Sequence, residues 1–294
     1  MAQETFKLTL DTQGNEISVV VNDTSSAPLA GSETFTTTGS NSWTVPAGVT
    51  SISAVAVGAG GGAFGYWDVD ANWLRTSSGG EGGHLRWATS ISVTPGETLT
   101  VTVGAKGESD TTSGGAYQSL RNNSTAGGSS SIARGTTVLL RGKGGSASGE
   151  GNNDSNIGDG GGSGGSGGGD GGKQYGGAGG GGAAGYSGNG TSGLAGGFSQ
   201  YNYYYAGTPS GGSASGGDGG GGQSSSGAGG GGVGVTGEGT SAAKQSGRGG
   251  SGGANASGRV GGAYGGGGGG GRSAGDGAQG AVRIVWGGGQ YPTP

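Results

Sequence analysis

The sequence predicts an all-β chain: a small antiparallel β-sandwich with an inserted bundle of polyglycine-II helices, preceded by an N-terminal β-hairpin. Three observations lead there. Glycine supplies 87 of 294 residues, roughly a third against an average usage near ~7%. Apolar alternation is concentrated in residues 1–140 and in one short piece near the C-terminus. Between them lies a glycine-dominated tract that suits neither regular element. Gly costs about 1 kcal/mol relative to Ala in a helix, and in a strand it has no side chain to pack.

Composition excludes several classes at the outset. Collagen would need strict Gly-X-Y repetition and abundant Pro, but only 6 Pro occur. With 0 Cys there is no disulfide framework and no thiolate metal or redox site. The 14 Lys and Arg are scattered, the net charge is -4, and no basic stripe marks a nucleic-acid binder. No apolar run is long enough to span a membrane. The opening Met1-Ala-Gln-Glu-Thr5 lacks the basic and apolar regions of a signal peptide. A single His and no dense acidic cluster argue against an enzyme. No catalytic residue, cofactor site or metal site is expected.

The elements follow in order. Phe6–Leu10 alternates, 11–15 supplies turn chemistry, and Ile17–Val21 alternates again, which together read as a hairpin. Residues 22–30 are polar, contain Pro28 and read as a linker, so 1–30 forms an attachment segment. From Gly31 the expected strands are Glu33–Thr38, Ser42–Val45, Ser51–Val57, His84–Ser92, Thr98–Val103, Ser129–Ala133 and Thr136–Leu140. Pro46-Ala-Gly48 and Pro95-Gly96 punctuate them as turns. A last strand, Ala281–Trp286, has no local partner and should return to this unit, giving a β-sandwich of 31–141 with 281–287. Residues 288–294 remain as a tail.

The tract 142–280 repeats in character without a fixed period. If such a chain orders, its backbone N–H and C=O groups must find partners. The left-handed extended helix with three residues per turn points them outward, and Gly lets neighbouring helices approach and exchange these bonds. Gly loses more backbone freedom on ordering than any other residue, so loose tails would not suffice. The tract is therefore expected as a packed polyglycine-II bundle seeded by the β unit.

Four segments in series then resemble a known family. They are Ser42-Trp-Thr-Val-Pro-Ala-Gly-Val-Thr50 leading into Ser51–Gly62, Ile91–Gly104 with its Pro95-Gly96, Gly128–Arg134, and Gly280–Trp286. Together they resemble the glycine-rich domain of bacteriophage tail-fibre and related virion structural proteins. The closing strand looks most like those of T4-like cyanophages. The resemblance covers about residues 31–287 and leaves 1–30 outside. It implies a virion protein whose polyglycine-II bundle presents variable loops to a bacterial surface receptor.

Residues that could carry chemistry have bland readings beside the functional ones. Gly58–Ala63 fits the spacing of a dinucleotide fingerprint, yet Phe64–Asp70 follows with no helical period, so a loop is expected. Arg141-Gly-Lys-Gly-Gly145 lacks the remaining residues of a P-loop. His84 reads as an ordinary strand residue. Asp68, Asp70, Asp154, Asp159, Asp170, Asp218 and Asp276 are too scattered for a calcium loop.

Two aromatic clusters stand out. Phe64, Tyr66, Trp67 and Trp73 lie in an expected loop over 64–75. Phe198, Tyr201, Tyr203, Tyr204 and Tyr205 lie in the longest non-glycine break of the tract. Rigid aromatics are good binding anchors, so Tyr201, Tyr203, Tyr204, Tyr205, Phe198, Tyr66, Trp67 and Trp73 are the candidate receptor contacts. Capping the bundle or filling a satellite core is the bland alternative.

A fibre adhesin would bind a host surface polysaccharide or outer-membrane protein. It would join other virion proteins through residues 1–30, with self-association open. It would neither bind nucleic acid nor insert in a membrane, and it would reside on the virion. A head decoration, baseplate or fibre-connector protein using the bundle as a spacer is the alternative. An ice-binding surface is a third reading, and it leaves Phe198–Ser210 unexplained.

Overall fold

A computed structural model describes residues 4–10, 15–21, 30–70, 73–114, 122–147, 152–169, 177–195, 217, 220, 227–238, 253–254, 256–257 and 259–287, with backbone alone for 4–10, 15–21, 73–75, 112 and 114. All regular structure among these residues is β. In chain order the strands are β1 (Glu4–Leu10), β2 (Asn15–Val21), β3 (Gly31–Phe35), β4 (Gly39–Thr44), β5 (Ser51–Val57), β6 (Phe64–Asp68) and β7 (Trp73–Ser78). They continue as β8 (Leu85–Ser92), β9 (Thr98–Val103), β10 (Asp110–Gly114), β11 (Ser130–Arg134), β12 (Thr137–Gly142) and β13 (Ala281–Trp286).

β1 and β2 form the expected antiparallel hairpin, with Phe6 opposite Val19 and Leu8 opposite Ile17. Two four-stranded sheets follow, ordered β12-β11-β9-β4 and β3-β13-β5-β8, both antiparallel. The closing strand β13 inserts between β3 and β5, pairing Val282 with Phe35 and with Ala56. Its alternation therefore found the partner that its local sequence lacked.

One hydrophobic core joins the two sheets. Leu99, Val101, Ile132 and Leu140 from the first cluster with Ile52, Ala54, Val282 and Ile284 from the second. Each of these larger aliphatic side chains contributes about 1.5–3 kcal/mol by leaving water. Trp43 and Trp286 extend the cluster with ring centroids 5.6 Å apart. Turn chemistry behaves as its residues demand. Gly48 (φ 78) follows Pro46-Ala47 with Val49 N–H closing onto the Pro46 carbonyl at 3.2 Å. Gly135 (φ 57) opens the two-residue connection between β11 and β12.

β5 is buried on both faces, which explains the apolar run over its residues 54–57. Ile52, Ala54 and Ala56 face the first core, while Val55 and Val57 enter a second. There they meet Leu85, Ala281, Ala183, Ala184, Tyr186, Val233 and Val235. The glycine-rich chain thus packs directly on the back of this sheet.

Beyond β5 the hydrogen bonding changes period. Successive N–H groups of residues 58–63 rotate among three neighbours. Gly58 and Gly61 donate to His84 and Glu81, Ala59 and Gly62 to Gly128 and Thr125, and Gly60 and Ala63 to Ala278 and Gly275. Residues 179–184 repeat the rule. Gly179 and Gly182 donate to Leu194 and Thr191, Gly180 and Ala183 to Ala228 and Gly231, and Gly181 and Ala184 to Gly80 and Gly83. Every third residue faces the same neighbour, whereas a strand repeats every second. The pattern already operates in 58–63 and 79–84, well before residue 142.

Proximity of backbones enforces glycine here. A Cβ on Gly60 would overlap the carbonyl oxygen of Gly266, and one on Gly61 that of Ser146. No side chain can turn aside from a backbone carbonyl already fixed by its own hydrogen bond.

The loop expected over 64–75 is corrected. β6 and β7 pair antiparallel, and β10 joins β6 in parallel, making a third sheet ordered β10-β6-β7. Phe64, Tyr66 and Asp68 alternate with Gly65 and Trp67, but glycine and aspartate disguise that alternation in the sequence.

Candidate functional site

The registers define two poles. β5 runs through residues 58–63 into β6, and on the adjacent antiparallel path β7 runs through 79–84 into β8. The two four-stranded sheets therefore lie at one end of the glycine segments and the β10-β6-β7 sheet at the other. The chain enters the first sheets at Gly31, paired with Trp286, which also faces Ile52. From Ile52 to Asp68 a straight path covers roughly 50 Å at ~3.1–3.4 Å per residue.

Several glycine segments end at the β6–β7 pole. Gly168 accepts from Gly79, immediately beyond β7, and donates to Gly179. Gly179 in turn donates to Leu194. Gly270 lies against Phe64 and Ser78 and accepts from Gly227. At this pole the described chain stops at Gly114, Gly169 and Ala195. Phe198, Tyr201, Tyr203, Tyr204 and Tyr205 follow Ala195 and lie outside the described residues.

The described aromatics divide sharply. Tyr66 is 1% exposed and Phe64 5%, so Tyr66 is corrected from a receptor contact to a packing residue. Its ring occupies the buried face of β6. Trp67, on the opposite face, is only half-buried, and the Arg272 guanidinium lies 4.2 Å from its ring centroid. Trp73 opens β7, opposite Asp68, and its side chain lies outside the described part. Val69, 53% exposed, projects at the strand end beside Asp70, whose N–H donates to Asp68 Oδ1 at 3.0 Å.

Arg272 belongs to the connection 271–274, which bonding holds over the sheet. Ala274 N–H donates to Thr111 Oγ1 at 2.8 Å, and Gly65 meets the Gly271 carbonyl so closely that only glycine fits. Just below, Asp276 accepts from Lys106 Nζ at 2.6 Å and from Ser109 N–H and Oγ–H at 2.8 and 2.7 Å. Burial alone would raise the Asp276 carboxyl, but the Lys106 and Ser109 bonds outweigh it and hold it below the ordinary carboxylate range. Neither Arg272 nor the Lys106–Asp276 pair was singled out from sequence. Their partners stand on remote segments, and no spacing signal marks them.

The remaining sequence candidates resolve by geometry. Residues 58–63 give their N–H groups to carbonyls of this chain and continue into a strand, so no helix N-terminus is available to a phosphate. Among the described residues, no group of three His, Cys, Asp or Glu side chains is set to hold a metal. His84 immediately precedes β8, is 7% exposed and lies 3.1 Å from Glu81 Oε1. Its burial in a polar cluster, rather than in an ordinary strand position, comes from the tight glycine segments around it. No protein family matches the chain, and no curated protein matches it.

Proposed function

We propose that this chain is a structural protein of a bacteriophage virion, a tail-fibre or fibre-tip adhesin that contacts a host surface receptor through aromatic loops. One observation carries the reading: the two poles. The sheets receive the chain at Gly31 at one pole, and the chain leaves for Phe198–Tyr205 by Ala195 at the other, resuming at Gly217. Such polarity suits a molecule anchored at one end and exposed at the other.

On this reading the two four-stranded sheets are a β-sandwich closed over their common core. The three-residue rotation of bonds is that of a polyglycine-II bundle, with each segment donating to three neighbours. A support of this kind holds its loops stiffly and so limits the entropy lost on binding. Residues 1–30 join other virion proteins, and the receptor is a surface polysaccharide or outer-membrane protein. No enzymatic step is assigned.

The burial of Tyr66 and the Arg272 cover on Trp67 favour a second reading. In that reading the pole is closed by packing, and the protein is a head decoration, baseplate or fibre-connector spacer. Adsorption decides between them. In particles carrying Tyr201→Ala, Tyr203→Ala, Tyr204→Ala or Tyr205→Ala, the adhesin reading expects loss of host adsorption with unchanged particle yield. A hot-spot Tyr is worth about 1–2 kcal/mol or more, or roughly 5- to 30-fold or more in adsorption affinity. Unchanged adsorption across all four, or reduced assembly, supports the spacer.

A further inference from the structure

His84 is the single histidine of the chain, and its surroundings fix which ring nitrogen carries the proton. Asn156 Oδ1 accepts from the Lys143 N–H at 3.0 Å, which orients the amide. Its Nδ2 is then the group 2.8 Å from His84 Nδ1. An amide nitrogen donates, so Nδ1 must be the unprotonated acceptor. The ring proton resides on Nε2 and is donated to Glu81 Oε1 at 3.1 Å. Glu81 Oε2 accepts from Ser146 N–H at 2.8 Å, completing the chain.

We propose that this cluster is a proton-dependent latch fastening residues 152–157 to the glycine segments. With Nδ1 free, His84 holds Asn156, Asn156 holds Lys143, and Ile157 exchanges paired bonds with Arg141 at 2.8 and 3.0 Å. A second proton on the ring lands on Nδ1 and sets two donors face to face. Asn156 must then turn its oxygen to the ring and abandon Lys143, or leave altogether. Either way a bond that fastens the segment is lost.

The charged groups around the ring are few. Its own segment brings Glu81, which accepts from the Nε2–H whichever form the ring takes. Residues 143–146 bring Lys143, and 152–157 brings Asp154, which is paired with Arg141 at 3.4 Å. Arg86, on β8, donates instead to the Leu85 and Gly162 carbonyls at 2.7 and 2.6 Å. The neighbouring stretches 58–61, 162–168, 181–184 and 265–268 contain only Gly, Ala and Ser. Among the described residues, His84 is the ring that bonds Asn156 of this segment directly.

Residue-resolved amide exchange on the full chain tests the latch. Loss of a partly buried bond exposes its amide by about tenfold or more. The Lys143 and Ile157 protection factors should fall by that much from about pH 8 to about pH 5, while the Val101 amide in β9 stays protected. In Asn156→Asp the sign should reverse, because a carboxylate accepts from a protonated Nδ1 while still receiving Lys143 N–H. In His84→Gln the dependence should vanish. Flat wild-type profiles overturn the latch. So does an equal fall at Val101, or a fall that persists in His84→Gln. The wild-type measurement decides even if a variant fails to fold.

Discussion

β9 and residues 58–63 are runs of the same length that solve the same problem differently. In β9, Leu99, Val101 and Val103 are buried while Thr98 and Thr100 are exposed, and backbone bonds run sideways to β4 and β11. A strand leaves two directions for side chains, and volume in those directions stabilises it. In 58–63 every residue is buried, and the N–H groups leave in three directions to three different neighbours. Most directions around such a segment are occupied by backbone. The sheets are held by what their side chains fill, the glycine segments by what theirs omit.

Adding and removing methyl groups should therefore have opposite consequences in the two regions. The largest effect is expected for Gly60→Ala, whose new Cβ would strike the bonded Gly266 carbonyl. It should cost at least about 3 kcal/mol, read as a lower urea midpoint. A cost below about 1 kcal/mol would show that the segments can spread, and the comparison would fail. In the sheets the damaging change is a deletion. Leu99→Ala, at 0% exposure between the two sheets, should cost about 3 kcal/mol, within the range for buried leucine.

A smaller effect tests how the segments are pinned to the β10-β6-β7 pole. Asp276→Asn weakens the bonds from Lys106 and Ser109 and should cost about 1 kcal/mol at neutral pH. Because the folded carboxyl is held below its ordinary value, its contribution is complete above the unfolded pKa and is lost as pH falls through the lower folded one. The gap between wild type and Asp276→Asn in urea midpoints should hence close on acidification below the ordinary carboxylate range. A gap constant with pH would remove the ion pair from the account. The smallest effect is at the surface. Arg272→Gln should cost only about 0.5–1 kcal/mol and should blue- or red-shift the Trp67 emission by changing what covers the ring.

The sheet strands were legible because their signal is local. Ser51–Val57 and Thr98–Val103 match β5 and β9 residue for residue, since alternation and flanking Pro-Gly turns need no distant information. β6, β7 and β10 were not legible. Gly65 stands where an alternating strand would show a side chain, and it does so because the Gly271 carbonyl crosses there from a remote segment. The candidate site was less legible still. Tyr66 and Trp67 are adjacent aromatics of similar promise, and only the facing of β6 buries one and half-exposes the other.

By itself, the sequence determined the period of each region. Branched aliphatics at every second position can form only sheets with a common core, and long glycine runs can order only where backbone meets backbone. Tertiary structure decided which neighbour each residue meets. The order in which glycine segments stack, the two poles, and the His84, Glu81 and Asn156 cluster all depend on contacts between remote positions. Glycine carries no side chain to encode such a choice, so a glycine-rich stretch specifies that it will pack while its flanking strands and connections specify where.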